Sequence, residues 1–258
     1  MKPAAALLIG LGIASAGTPA AAGAWTQPKG RAQVILKVED MRAVRGFDPD
    51  GRLVDLAVER RDSAAGVFAE YGLTDRLTVQ FKGDWQRGED AFVDFEGRGP
   101  VELGVTWQVW RDEAAAISLY AGYAVGGEGR NAGYASPGEG DRDWEVRASA
   151  GYSVAAGWGP IRPGSFFEVQ AARRMRQGLP DEDRLDLTVG TRLDSRWLLL
   201  TQGFAGQTED GGARWLSIET TVVRDLGDWS VQAGWRQTLA GRETPEASGP
   251  IIGLWRRF

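Results

Sequence analysis

From Leu77 to Trp85 the chain alternates without a break: Leu77, Val79, Phe81, Gly83 and Trp85 are apolar or small, and Thr78, Gln80, Lys82 and Asp84 between them are polar. A period of two marks a strand with one apolar and one polar face. The pattern returns in Val101, Leu103, Val105, Trp107 and Val109 against Glu102, Gly104, Thr106 and Gln108. It returns again in Trp144, Val146, Ala148, Ala150, Tyr152 and Val154 against Glu145, Arg147, Ser149, Gly151 and Ser153. In water the apolar row has to face a core, and charges cover the outside; in lipid the polarity inverts and the charged row lines the interior. Alternation alone does not choose between the two.

Read in this way, the chain holds about twelve strands, at roughly 30–46, 54–71, 76–87, 97–110, 115–126, 142–156, 164–176, 183–193, 196–206, 213–224, 228–240 and 249–258. The links between them fall into two alternating classes. Gly72–Asp75, Arg111–Glu113, Asp194–Arg196 and Asp225–Gly227 are short, and Ala156–Gly164 is somewhat longer but holds Gly159, Pro160 and Pro163. The others are longer and more polar: 46–52, 88–96, 127–141, 177–182, 208–213 and 241–248. A soluble sandwich has no reason to segregate its links by length, whereas a membrane barrel has short turns on one side and long loops on the other. The expected fold is all-β: an antiparallel up-and-down transmembrane β-barrel of about twelve strands, within a range of ten to fourteen.

The N-terminus points the same way. Lys2 precedes an apolar run, Ala4 to Ala14, and small residues follow with two cleavage sites, Ala20-Ala21-Ala22 and Ala22-Gly23-Ala24. This is the pattern of a cleaved Sec-type signal peptide. The expected organisation is a signal peptide over 1–24 and an outer-membrane β-barrel over 25–258. No other segment approaches the roughly 20 apolar residues of a spanning helix. Cys is absent, so neither a disulfide framework nor a lipidated cysteine is available. With a net charge of -5 and the two signs mixed along the chain, nucleic acid is not an expected partner.

Trp110, Trp158, Trp197 and Trp229 lie beside the short turns, and Trp85, Trp144 and Trp215 beside the long loops. Two interfacial girdles would account for them, because an indole there buries its ring and keeps its N–H wet. Parity places Trp110 on the polar side of its strand, and Trp107 and Trp235 lie deeper than a girdle needs.

The final residues, GPIIGLWRRF, resemble the last strand of bacterial outer-membrane barrels, with Phe258, Leu254 and Ile252 in the pattern and Arg256 departing from it. The resemblance implies that the barrel assembly machinery recognises this strand. AEYGLTDRLTVQ (69–80) resembles the strand, turn and strand of small proteobacterial outer-membrane proteins grouped with transporters of aromatic-degradation pathways. GAWTQPKGRAQVI (23–35) resembles the start of related small barrels, some of them beside exopolysaccharide-synthesis genes. Together these imply a porin-like transport protein of the Gram-negative outer membrane, with lipid and lipopolysaccharide around it.

The chain has no His. Outer-membrane phospholipases, lipid A deacylases and omptin-type proteases rely on a His base, so an enzyme is the least expected class. The acidic loops at 125–143 and 48–55 lack a spaced ligand motif and read as solvated, so neither a metal nor a cofactor is expected. The glycines between Gly126 and Gly133 precede no helix and make no dinucleotide site.

What remains is the polar row. Glu39, Glu70, Asp84, Glu102, Glu145, Glu168 and Asp186 are the expected inner acids, and Lys37, Lys82, Arg147, Arg192 and Arg236 the inner bases. They either line a narrow channel for a hydrophilic solute or an exported polysaccharide, or pair off and fill the interior of a plugged barrel that binds a surface polymer.

Overall fold

The structure, a computed structural model, describes residues 23–157 and 161–258. The signal-peptide residues before Gly23, and Trp158, Gly159 and Pro160 in the 156–164 link, lie outside the described residues.

The strand segments are β1 (Ala32–Phe47), β2 (Leu53–Thr74), β3 (Leu77–Glu89), β4 (Asp94–Arg98), β5 (Val101–Arg111), β6 (Ala115–Val125), β7 (Arg142–Val154), β8 (Ser165–Gln177), β9 (Glu182–Arg192), β10 (Trp197–Thr208), β11 (Arg214–Leu226), β12 (Trp229–Arg242), β13 (Thr244–Pro245) and β14 (Ser248–Arg257). β4 and β5 are two parts of one wall strand, interrupted at Gly99 and Pro100, and β13 and β14 are likewise one strand. The result is a closed antiparallel barrel of 12 strands. Each strand pairs with its sequence neighbours, and β1 pairs with both β2 and β14, so no edge is left open. The Phe258 N–H donates to the Ala32 carbonyl at 2.9 Å, which brings both ends of the barrel sequence to the short-turn side.

Several boundaries move outward from the sequence expectation. β4 begins inside the expected 88–96 loop, because residues 94–98 pair with 85–89 and prolong the hairpin. β13 does the same against β1. β2 is 22 residues long, about twice what crosses a bilayer. Its far half carries Glu59, Arg60, Arg61 and Asp62.

The outer surface is apolar. Val38, Leu103, Leu119, Val146, Leu187 and Ile252 are all half exposed on strands whose alternate residues are covered. An apolar band running around the whole barrel is a surface for hydrocarbon, not water. The girdle holds for Trp85, Trp144, Trp197 and Trp229, all exposed. Trp110 also faces outward: a bulge between Gln108 and Trp110 adds one residue and resets the parity. Trp215 is a correction. It shares the inner face with Glu219 and stacks on Tyr134 inside the barrel, with ring centroids 6.0 Å apart.

Inside, the short-turn half is apolar as well. Trp25, Phe166, Leu198, Leu200, Val223 and Trp255 form one buried cluster. The long-loop half is charged.

Candidate functional site: a charged cavity in the barrel interior

A cavity of about 530 Å3 occupies the middle of the barrel. Strand parity turns Lys37, Glu70, Lys82, Asp84, Glu102, Arg147 and Glu168 toward it, together with Arg174, Arg184 and Glu219. Of the inner residues selected from sequence, Glu145 lies behind this lining, covered by Arg147 and Arg174. Glu39 and Arg236 join each other at 3.2 Å on the β1 and β12 side. Asp186 stands on the inner face of β9, in register with the cavity-lining Gln170. Arg192 lies away from the cavity, at the short-turn rim, with its Nη1 3.0 Å from Asp225 Oδ2. Ile252, Leu254 and Phe258 face outward.

The charges form two wall networks. In one, Glu102 receives Lys82 Nζ, Tyr120 Oη at 2.5 Å and Arg174, while Arg174 also reaches Glu145 and Asp143. Tyr120 lies under two cations, with Arg147 4.7 Å and Lys82 5.5 Å from its ring centre. In the other, Glu219 holds Lys37 Nζ at 3.0 Å and Arg236 Nη2 at 2.7 Å.

The two partners of these pairs are not equally placed. Lys37 is 29% exposed and its Glu219 partner 1%. Arg184 is 32% exposed and Glu145 2%. Glu70 and Glu168 are also buried. The acids back against the wall, and Lys37, Lys82 and Arg184 stand in front of the acids they pair with, while Arg174 is buried among them. Among the acids that line the cavity only Asp84 is partly open, against Lys37, Lys82, Arg147 and Arg184. Although acids and bases are near balance in number, most of the more open charged side chains of the lining are cationic.

The chain folds into the barrel on both sides of this region. At the short-turn end, residues before β1 run into the lumen. The Ala24 N–H donates to Glu168 Oε2 at 3.0 Å, and its carbonyl accepts from Gln108 Nε2 at 3.1 Å and Ser118 Oγ at 2.7 Å. The Gln27 N–H donates to Thr78 Oγ1 at 2.9 Å, and Gln27 Nε2 to Glu70 Oε2 at 3.0 Å. Trp25 meets Phe166 edge-on, with ring centres 6.2 Å apart. Two glycines make room. A Cβ on Gly151 would lie 2.3 Å from the Trp25 ring, and one on Gly72 would lie 2.2 Å from the Pro28 carbonyl.

At the opposite end, the 127–141 loop folds inward, not outward into solvent. Asn131 organises it. Its Oδ1 accepts the Gly127 N–H at 2.8 Å, and its Nδ2 donates to the Glu139 carbonyl at 2.7 Å. Arg176, fully covered, donates to the Asn131 carbonyl at 2.7 Å and also pairs with Asp143 and Glu182. Tyr134 Oη donates to Glu182 Oε1 at 2.8 Å. Burial and the adjacent Glu182 charge raise its phenol well above the ordinary range. Arg130 pairs with Asp90.

Sequence reading missed Glu219, Arg174, Arg176, Arg184, Tyr120 and both closures. Arg174 and Arg176 share the parity of Glu168 along β8, a signal that was available. No pattern in 23–28 marks a plug. Among the described residues, no group of three His, Cys, Asp or Glu is arranged to hold a metal ion.

No family model matches the chain, and no relative among curated proteins is found by sequence. Its likeness is to solved structures. An outer membrane channel from Pseudomonas putida superposes with a TM-score of 0.69 at 15% identity, covering 91% of this chain and 98% of that one. The KdgM porin gives 0.56 at 5% identity over 88% and 99% of the two chains, and the NanC porin 0.54 at 7% over 85% and 98%. The fold is that of small outer-membrane channel and porin barrels.

Proposed function

We propose that this barrel is a narrow outer-membrane channel for small hydrophilic anions, occluded at rest. The observation that carries the reading is the layering of the lumen, with buried acids behind the partly exposed Lys37, Lys82 and Arg184. A cationic constriction between low-dielectric walls concentrates anions and repels cations. The apolar band supports lipid as the surroundings, with lipopolysaccharide against the charged extension of β2. The outward exposure of Ile252, Leu254 and Phe258, on β14 and at its end, supports reading of this strand by the assembly machinery. The reading requires no catalysis, and the chain offers neither a His base nor a Cys nucleophile.

The test is single-channel recording of the refolded protein in a planar bilayer under a potassium chloride gradient. Discrete steps with a reversal potential on the anion side support the reading; cation preference in a conducting channel rejects it. A second reading draws on the two closures: a permanently plugged barrel whose outer loops hold a surface polysaccharide. Silence from inserted protein, with polysaccharide binding that is lost when 127–141 is shortened, would favour it. An exported polymer would have to displace both closures at once.

A further inference from the structure

Glu168 is a carboxylate without a direct ion pair. It is 3% exposed, and among the described residues no Lys or Arg nitrogen lies within ion-pair distance of it, the Arg147 charge acting on it only from farther off, whereas Glu102, Glu145 and Glu219 each pair with at least two cations. Glu70, buried beside the same segment, is held by the side-chain amides of Gln27 and Gln80. Glu168 instead faces the start of the luminal segment. It accepts the backbone N–H groups of both Gly23 and Ala24 and the Gln170 amide. A buried carboxylate with no cation in direct contact is costly, and a charge-assisted bond at this position relieves that cost.

We infer that the mature chain begins at Gly23 and that its terminal ammonium is the counter-ion of Glu168. Cleavage after Ala22 satisfies the small-residue requirement through Ala20 and Ala22. It retains every anchor of the segment and turns the Gly23 N–H, already on the carboxylate, into an ammonium. The alternative, cleavage after Ala24, removes the N–H that serves Glu168 and the carbonyl that serves Gln108 and Ser118. It would strip partners from three side chains that are each at most 3% exposed. The fit at the first residue is also close, since a Cβ there would lie 2.9 Å from Gln170 Nε2, so glycine is the residue that seats without displacement. Removal of the signal peptide thereby creates the charge that locks the short-turn closure. The precursor, its Gly23 nitrogen tied up in a peptide bond, lacks that charge.

The first arm of the test is the intact mass and N-terminal sequence of protein purified from outer membranes. Gly23 is expected, and a chain starting at Ala21 or Trp25 overturns the inference. The second arm refolds the chain from Gly23 with a free or an acetylated amine, each as wild type and as Glu168→Gln. Hydrogen exchange of the Trp25 to Gln27 amides reports whether the segment is seated. Acetylation should speed exchange about tenfold in the wild type and by less than about twofold in the Glu168→Gln variant. Equal effects in the two backgrounds, or none in either, would remove the ion pair. Neither arm depends on conduction, so a silent barrel would count against the channel reading and leave this inference to its own result.

Discussion

Lys82 Nζ lies 3.0 Å from Glu102 Oε1, yet the lysine side chain is 34% exposed and the glutamate 5%. The pair is a dipole whose positive end points into the lumen. Lys82→Gln keeps a donor for Glu102 and removes the exposed charge, and Arg174 and Tyr120 still hold the carboxylate. The anion-to-cation permeability ratio, read from reversal potentials, should fall about threefold, and further when Lys37→Gln is added. An unchanged ratio in a channel that still conducts would take Lys82 out of the path.

Gly151 is the floor on which Trp25 rests. Gly151→Val drives two methyl groups into the indole, and overpacking of this kind costs about 1–3 kcal/mol. Because the segment can swing away while the wall stays closed, the cost should appear as undocking. The fraction of time spent open should rise about tenfold with little change in barrel melting temperature. Gly133→Val is the control, since a Cβ there meets nothing within 4 Å.

Arg176 is 1% exposed and joins Asp143, Glu182 and the loop carbonyl of Asn131. Arg176→Met leaves two buried carboxylates with fewer donors, a loss of about 3–5 kcal/mol. Thermal unfolding in detergent should shift down accordingly. Proteolysis within 127–141 should begin under conditions where the wild type resists.

Asp90 sets the pH response of the outer closure. Burial works to raise its carboxyl, but the Phe92 and Val93 amides and Arg130 outweigh that and hold it below the ordinary aspartate range. A depressed folded value means that the stabilisation is full above the unfolded value, near pH 4, and is lost as pH falls through the lower folded value. Loop protection against protease should therefore be constant from neutral pH to about 5 and fail below about 4. Asp90→Asn should show the loosened loop at pH 7, and a loop equally protected at acid pH would show that Asp90 does not hold it.

Parity is legible where lipid lies on one side of a strand and water on the other, as in β5 and β7, whose outer and inner rows follow the sequence alternation. It blurs in β10, where Leu198 and Leu200 point inward and still pack on apolar neighbours, Trp25 and Phe166. With apolar residues wanted on both faces, the period of two disappears. β11 blurs for the complementary reason: Thr220 faces out and Val223 in. The bulge before Trp110 is a backbone event with no residue signature of its own. The closures are illegible for a different reason, since they depend on contacts between residues tens of positions or more apart in sequence, such as Tyr134 with Glu182 and Ala24 with Glu168.

A cation with an acid at its back is held in common. On the channel reading, a carboxylate arriving at Lys82 would not meet a bare charge that must be stripped of water; it would take a share of hydrogens that Glu102 never wholly surrenders. When it moves on, the wall reclaims them. Such a site exchanges partners instead of capturing them: residence is brief, affinity is modest, and ordinary salt competes on nearly equal terms. On the channel reading, the inner surface of this barrel suits traffic more than storage.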